Sequence, residues 1–339
     1  MKFRDVFRFG LVLAVIALTV PAMVFAAGAA EPAATEARTI ELSAATINPG
    51  GSHLGQTLAA LARRIEEKSG GRIEVTVYPD GQLGDASTLY ESVARGNIDI
   101  IMSDTGWFAE EHPQFDVLEA SYLFRDEDHY LELLNTPGSL SYFENLLLER
   151  PGLRTLMYAG GMERNIISTF PINRLSDLRG RTMRSRPVST ELEWWELLGA
   201  RPIPVSFQET YTAIQTGVVE GSQNSLDAMI NMRFMEVAKN VARTQQGIHL
   251  GMIVMNNQRF ESLDSDLQRA ILDAAAEVQP EYLQRAFDDA ENLLARLQNE
   301  FGVRVTDPDK GPFIEASRKQ LWDLAQEIGI ESTVRDIFD

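Results

Sequence analysis

The chain contains no cysteine, and only four histidines and four tryptophans in 339 residues. Without cysteine there are no disulfides, no thiolate nucleophiles and no Cys-ligated zinc or iron–sulfur centre; an oxidising compartment is allowed but not required. Positive charge is scarce as well: 31 Lys and Arg stand against 49 Asp and Glu, a formal net charge of −18. No Lys/Arg-rich run offsets this, so phosphate backbones and anionic lipid headgroups are repelled and nucleic acid is not an expected partner. Motifs of catalysis are missing too. There is no Gly-x-Gly-x-x-Gly after a strand, no phosphate loop, no His-Glu-x-x-His and no Gly-x-Ser-x-Gly. His53, His112, His129 and His249 lack metal-ligand spacing, so neither a metal nor a cofactor is expected. Acidic pairs such as Glu110-Glu111 read as solvated surface in so acidic a chain.

What is present begins with an address. Lys2, Arg4 and Arg8 precede the apolar residues 11–20, then Pro21 and the small residues 22–30, the pattern of a secretory signal cut near Ala26. Residues 1–26 are therefore expected to be removed, and the mature protein to be periplasmic. Residues 27–38, rich in Ala, Glu, Pro and Thr, read as a disordered tether. Folding should start near Thr39.

The remainder is long enough for two domains and shows one rhythm twice. Residues 40–45 read as a strand, a helix capped by Ser52 follows, and residues 73–77, a helix from Asp85 to Arg95 and residues 98–102 complete β-α-β-α-β. A second copy runs from residues 181–184 through a helix ending at Gly199, a strand at 201–204, a helix to Gln215 and a strand near 218–222. Tyr90, Gly96 and Asp99 have the same mutual spacing as Tyr211, Gly217 and Glu220. Strands alternating with helices predict two similar α/β lobes with mainly parallel sheets. Residues 122–148 look helical, and the apolar pieces 153–158 and 165–168 can cross from lobe to lobe. Residues 264–300 have helical spacing throughout, with a bend expected at Pro280, and such a helix can brace both lobes. The expected division is 39–161 with 250–289 as one lobe and 162–249 with 290–339 as the other, the hinges lying near 160 and 250.

Open α/β sheets place ligands beyond the carboxyl ends of their strands. Arg184 is at such an end. Its planar fork suits a carboxylate, supplied either by one of the chain's own acids or by a bound anion, and residue types alone leave both open. His53, beside Asn48 and Gly50-Gly51, sits where a strand-to-helix junction can face an interlobe cleft.

Several spaced stretches carry a resemblance. They are Tyr78-Pro79-Asp80-Gly81-Gln82-Leu83-Gly84-Asp85, Leu178-Arg179-Gly180-Arg181-Thr182-Met183-Arg184, Leu198-Gly199-Ala200-Arg201-Pro202-Ile203-Pro204, and Gly217-Val218-Val219-Glu220-Gly221-Ser222-Gln223-Asn224. In order and spacing the chain resembles the extracytoplasmic solute receptors of tripartite ATP-independent periplasmic (TRAP) transporters, over nearly all of its mature length. The resemblance implies an α/β, two-lobed periplasmic-binding-protein fold that closes on a carboxylated solute and hands it to a membrane permease of small and large subunits, as a monomer and without chemistry. It implies that Arg184 binds the carboxylate, with Asn224 and Arg164 beside it, Phe207 as an apolar wall, Asp104 as a polar pocket residue, and Asn48 and His53 in the first loop. Arg186 and Trp194-Trp195 depart from the family pattern. Arg186, before Pro187, is expected either to face solvent or to take a second carboxylate, and at most one Trp of the pair to approach the cleft. A sugar acid is favoured over a C4-dicarboxylate. The alternatives are a receptor presenting its ligand to a sensor kinase, and a periplasmic sugar-acid enzyme with Asp104 or His53 as base.

Overall fold

The computed structural model describes residues 39–338; the signal and tether readings lie outside them. Nine strands form one mixed sheet: β1 (Ile40–Ala45), β2 (Ile73–Tyr78), β3 (Ile100–Asp104), β4 (Leu153–Ser168), β5 (Thr182–Ser185), β6 (Arg201–Pro204), β7 (Gly221–Ser225), β8 (Asn240–Asn256) and β9 (Arg304–Thr306). Their order is β2-β1-β3-β8-β4-β7-β5-β6, with β9 beside β8. At one end β1 pairs in parallel with β2 and β3, and at the other β5 pairs in parallel with β6 and β7. Strands β4 and β8, 16 and 17 residues long, run antiparallel through the middle and belong to both ends. The pieces expected at 153–158 and 165–168 are therefore one strand.

The repeat seen in the spelling is a repeat of structure. Gly96 and Gly217 both take left-handed φ, 73° and 76°, where the preceding helix turns back toward the sheet. Three residues on, Asp99 accepts the Ser43 amide at 2.7 Å and Glu220 accepts the Thr182 amide at 2.9 Å. Each carboxylate thus pins a central parallel strand.

Alternation along the strands fills both faces of the sheet. Ile100 and Met102 pack with the helices His53–Lys68 and Ser265–Asp288, whereas Ile101 packs on the opposite face with Phe108, Phe115 and Phe143. At the far end Ile167 and Val241 face one cluster, and Ile166, Met183 and Ala242 face the other. Two helical connections bind the ends together. Ser265–Asp288 contributes Leu267, Ile271 and Val278 to the first end, and the helix Ala290–Asn299 contributes Leu294 and Leu297 to the second. This is the expected bent brace, but the helix continues through Pro280 and the interruption falls at Asp289. Pro280 is exposed, so the carbonyl it leaves unpaired faces solvent. The helix Gly311–Ile328 likewise reaches both ends, with Phe313 in a second-end core and Ala325 in a first-end core.

Two local readings are corrected. Residues 122–148 are two helices, Glu127–Asn135 and Ser141–Glu149, and Tyr122 has φ 59° outside them, its hydroxyl donating to the Thr244 carbonyl. The strand expected at 218–222 is Gly221–Ser225, because residues 216–219 complete the turn around Gly217. Trp194 and Trp195 are both core, with rings 4.8 Å apart.

Candidate functional site

Beyond the carboxyl ends of β3, β5 and β6, between the two ends of the sheet, lies a cavity of about 310 Å³. That volume is at the lower end of the range for small-molecule sites. Asn48, Asp104, Arg164, Arg184, Arg186, Phe207 and Asn224 line it, so seven of the eight residues singled out from the sequence converge. Sheet register explains much of this. Arg164 and Asn165 in β4 stand opposite Ser225 and Asn224 in β7, and Arg184 in the next strand stands opposite Ser222.

The three arginines differ in what they hold. Arg186 is only 7 % exposed and contacts three carboxylates: Asp104 at 3.1 Å, Glu119 at 2.6 Å and Glu191 at 2.6 Å. The expectation of a solvent-facing Arg186 is thereby corrected, since burial and three of the chain's own acids hold it inside. Burial works to lower its pKa, but the three carboxylates outweigh burial and hold it well above the ordinary arginine value. Arg184, 2 % exposed, donates from Nε to the Val205 carbonyl at 2.9 Å, and Arg164 donates from Nε to Gln223 Oε1 at 2.5 Å. Neither forms an ion pair among the described residues. Burial, joined by repulsion from Arg186 and Arg164, pushes the Arg184 pKa down to about 10, and burial also lowers that of Arg164. A buried and a half-buried guanidinium group without a counter-ion favour a bound anion.

The rest of the lining is of opposite character. Asp104, Asp85 and Glu209 supply carboxylates, and Asn48, Asn224 and Gln208 supply amides. Asp104 bonds His249 Nε2 at 2.8 Å as well as Arg186. Burial alone would raise its pKa, but His249 and Arg186 outweigh burial and hold the carboxyl far below the usual 3.8. A depressed carboxyl stabilises the fold fully above its unfolded value and loses that contribution as pH falls below it. The melting temperature is therefore expected to drop below about pH 4, and Asp104→Asn to melt lower at neutral pH with a shallower acid decline.

Sequence reasoning missed His249 and Trp107, both of which line the cavity. His249 lies two residues from Gly251, the strand partner of Asp104, so its position follows only from register. Trp107 sits in the short turn Thr105–Phe108 that follows β3, where the strand-end rule could have found it. His53 is placed elsewhere. As the first residue of its helix it directs its ring toward Tyr282, 6.0 Å away between centroids, and lines a second cavity of about 260 Å³ with Arg285 and Arg296. Its backbone N–H donates to Asp227 Oδ2 at 3.2 Å, and burial lowers the imidazole pKa.

A mixed sheet with two similar ends, joined by long shared strands beside a small cavity, defines the two-lobed α/β solute-binding proteins. The chain belongs to one family of these, the bacterial extracellular solute-binding proteins of family 7 (DctP), whose model matches residues 44–327. It is 28 % identical over 269 residues to the sialic acid-binding periplasmic protein SiaP of Vibrio cholerae, covering 79 % of this chain and 83 % of SiaP. Two TRAP periplasmic solute-binding protein structures superpose closely. One, from a Sulfitobacter species with bound α-D-taluronate, is 26 % identical with a TM-score of 0.83, covering 88 % of this chain and 97 % of that one. The other, from Citrobacter koseri with bound D-glucuronate, is 25 % identical with a TM-score of 0.81, covering 88 % and 99 %.

Proposed function

We propose that this protein is the periplasmic receptor of a TRAP transporter for a polyhydroxylated monocarboxylate, a sugar acid, which it delivers to the small and large membrane subunits of a permease. The observation that carries the reading is the unequal pairing of the arginines. Arg184 and Arg164 offer donors to one carboxylate, and Asn224 lies beside them in the lining. Arg186 already faces three acids, so its single positive charge is more than balanced by the chain. A second ligand carboxylate would meet Asp104, Asp85 or Glu209, whereas hydroxyl groups would meet those same oxygens as acceptors. Trp107 and Phe207 supply apolar wall for the carbon skeleton. The relatives with bound taluronate and glucuronate agree with this class.

Closure in this reading joins 39–161 and 250–289 to 162–249 and 290–339, with hinges near 160 and 250, although the last segment from Ala325 on packs in a core of the first lobe. Gly160 and Gly161, at φ 141° and 87°, and the register shift between β4 and β8 at 160–163 support a hinge at the first crossing. A thermal-shift series with D-glucuronate, D-galactonate and succinate tests the substrate class. Sugar acids at a hundred times their Kd should stabilise by about 2.7 kcal/mol, several degrees in Tm, and succinate at the same concentration by much less. Stabilisation by succinate equal to or above that by both sugar acids would contradict the proposal. Receptor-dependent uptake into proteoliposomes holding both membrane subunits tests delivery.

A further inference from the structure

We infer that Asp227 is a positioning residue for solute: its carboxylate caps the first helix of the opposite lobe when the receptor closes, and so adds to affinity without touching what is bound. The inference rests on the two-lobe receptor reading above. Asp227 stands in the helix Leu226–Asn231, whose Leu226 and Met229 pack in a second-end core. His53 opens the helix His53–Lys68, whose Leu54 and Leu58 pack in a first-end core. The bond from the His53 backbone N–H to Asp227 Oδ2, 3.2 Å long, therefore crosses from one lobe to the other.

Asp227 is 6 % exposed and forms no ion pair among the described residues. Its other oxygen, Oδ1, accepts from Ser225 Oγ at 2.6 Å within its own lobe. Arg285, which lines the second cavity with it, is paired with Asp289 at 3.6 Å. A carboxylate buried to this degree is costly unless something answers its charge. What answers it is a helix N-terminus, where unpaired N–H groups and the helix dipole concentrate positive charge. Ser52 Oγ takes the Gly55 amide of that helix and Asp227 takes the His53 amide, so donors of one first turn are met from both lobes. The bond also lies one residue from the solute cavity on either side. Leu54, after His53, and Ala228, after Asp227, line that cavity together with Asn224 and Ser225, whereas His53 and Asp227 line only the second one. A solute that draws Asn224 and the first loop together brings Asp227 onto the helix start in the same movement. A change at either member of the bond reaches solute through the lobe contact alone.

The helix start permits a test that deletes a single donor. His53 is the first helical residue, where proline is accommodated, and Ser52 before it is extended at φ −73° and ψ 162°, as a residue preceding proline should be. His53→Pro removes the N–H and keeps the helix, His53→Ala removes the ring alone, and Asp227→Asn removes the charge and leaves one oxygen in place of two. Titration calorimetry compares these variants and the double variant His53→Pro/Asp227→Asn with the parent, using whichever of D-glucuronate, D-galactonate and succinate stabilises the parent most. Asp227→Asn should bind about tenfold more weakly than the parent, and His53→Pro about tenfold more weakly than His53→Ala. The double variant should fall within about twofold of His53→Pro, because both changes remove the same bond. Without solute, Asp227→Asn and the parent should melt within about 2 °C of each other. Unchanged affinity in Asp227→Asn, equal affinities of His53→Pro and His53→Ala, or additive losses in the double variant would overturn the inference. So would a solute-free melting temperature lowered as far as the solute-bound one, or loss of cooperative melting, since Asp227 would then serve the fold itself. The probe is the acid that binds, succinate included, so the lobe contact and the substrate class can fail separately.

Discussion

Replacing Arg184 by alanine is expected to weaken sugar-acid binding by about two to four orders of magnitude in titration calorimetry. The proposed contact is a planar fork donating two hydrogen bonds to a carboxylate, each worth roughly 1.5–3 kcal/mol when charged. Nothing among the surrounding residues can substitute: Arg186 is held by Asp104, Glu119 and Glu191, and Arg164 is one guanidinium where the site uses two. Arg184→Lys separates geometry from charge. Lysine keeps a cation but has no fork, so it should recover part of the loss only. Unchanged affinity in Arg184→Ala would remove this arginine from the binding site and take the proposed anchor with it.

The second large effect is on folding. Gly160→Ala should cost roughly 3–5 kcal/mol in denaturant unfolding, because two penalties coincide. The backbone at Gly160 has φ 141°, which side chains rarely tolerate, and an added Cβ would stand 2.0 Å from the His249 carbonyl and 2.8 Å from the Tyr130 hydroxyl. That hydroxyl donates to the same carbonyl at 2.7 Å, so the strand cannot move aside without breaking a buried bond. Gly138→Ala is the matched control. Its φ is 79° with no atom within 4 Å, so only the backbone penalty of about 1 kcal/mol applies. Equal losses in the two variants would show that the close approach of β4 and β8 is not the cause.

Much of the architecture was readable because it depends on local chemistry. Ser52 announces a helix start and its hydroxyl indeed accepts the Gly55 amide, while the spacing of Tyr90, Gly96 and Asp99 recurs in the second copy because both copies pin a parallel strand in the same way. The extent of β4 and β8 was not readable. Their middles carry Gly160, Gly161, Arg164 and Gly247, which break the apolar alternation: Gly160 lies close against the His249 carbonyl, Gly161 against the helix at Leu283 and Ala286, and Arg164 lines the cavity. Of the site, Arg184 at its strand end was found, Trp107 just beyond another strand end was not, and His249 was missed because its place depends on another strand. His249 reaches Asp104 only through the β3–β8 register, and His53, for all its polar neighbours in sequence, turns toward Tyr282.

Taken alone, the amino-acid order determined which segments become strands and helices, that they come in two matching sets, and that guanidinium groups emerge at strand ends. Those properties follow from periodicity, capping and turn chemistry within a few residues of one another. Tertiary structure decided how the charges pair. Arg184 and Arg186 are two residues apart and chemically identical, yet one is left facing a cavity and the other is surrounded by Asp104, Glu119 and Glu191. The reason is that ion pairing depends on distances through space between residues up to 82 positions apart in sequence, and those distances exist only once the sheet is assembled.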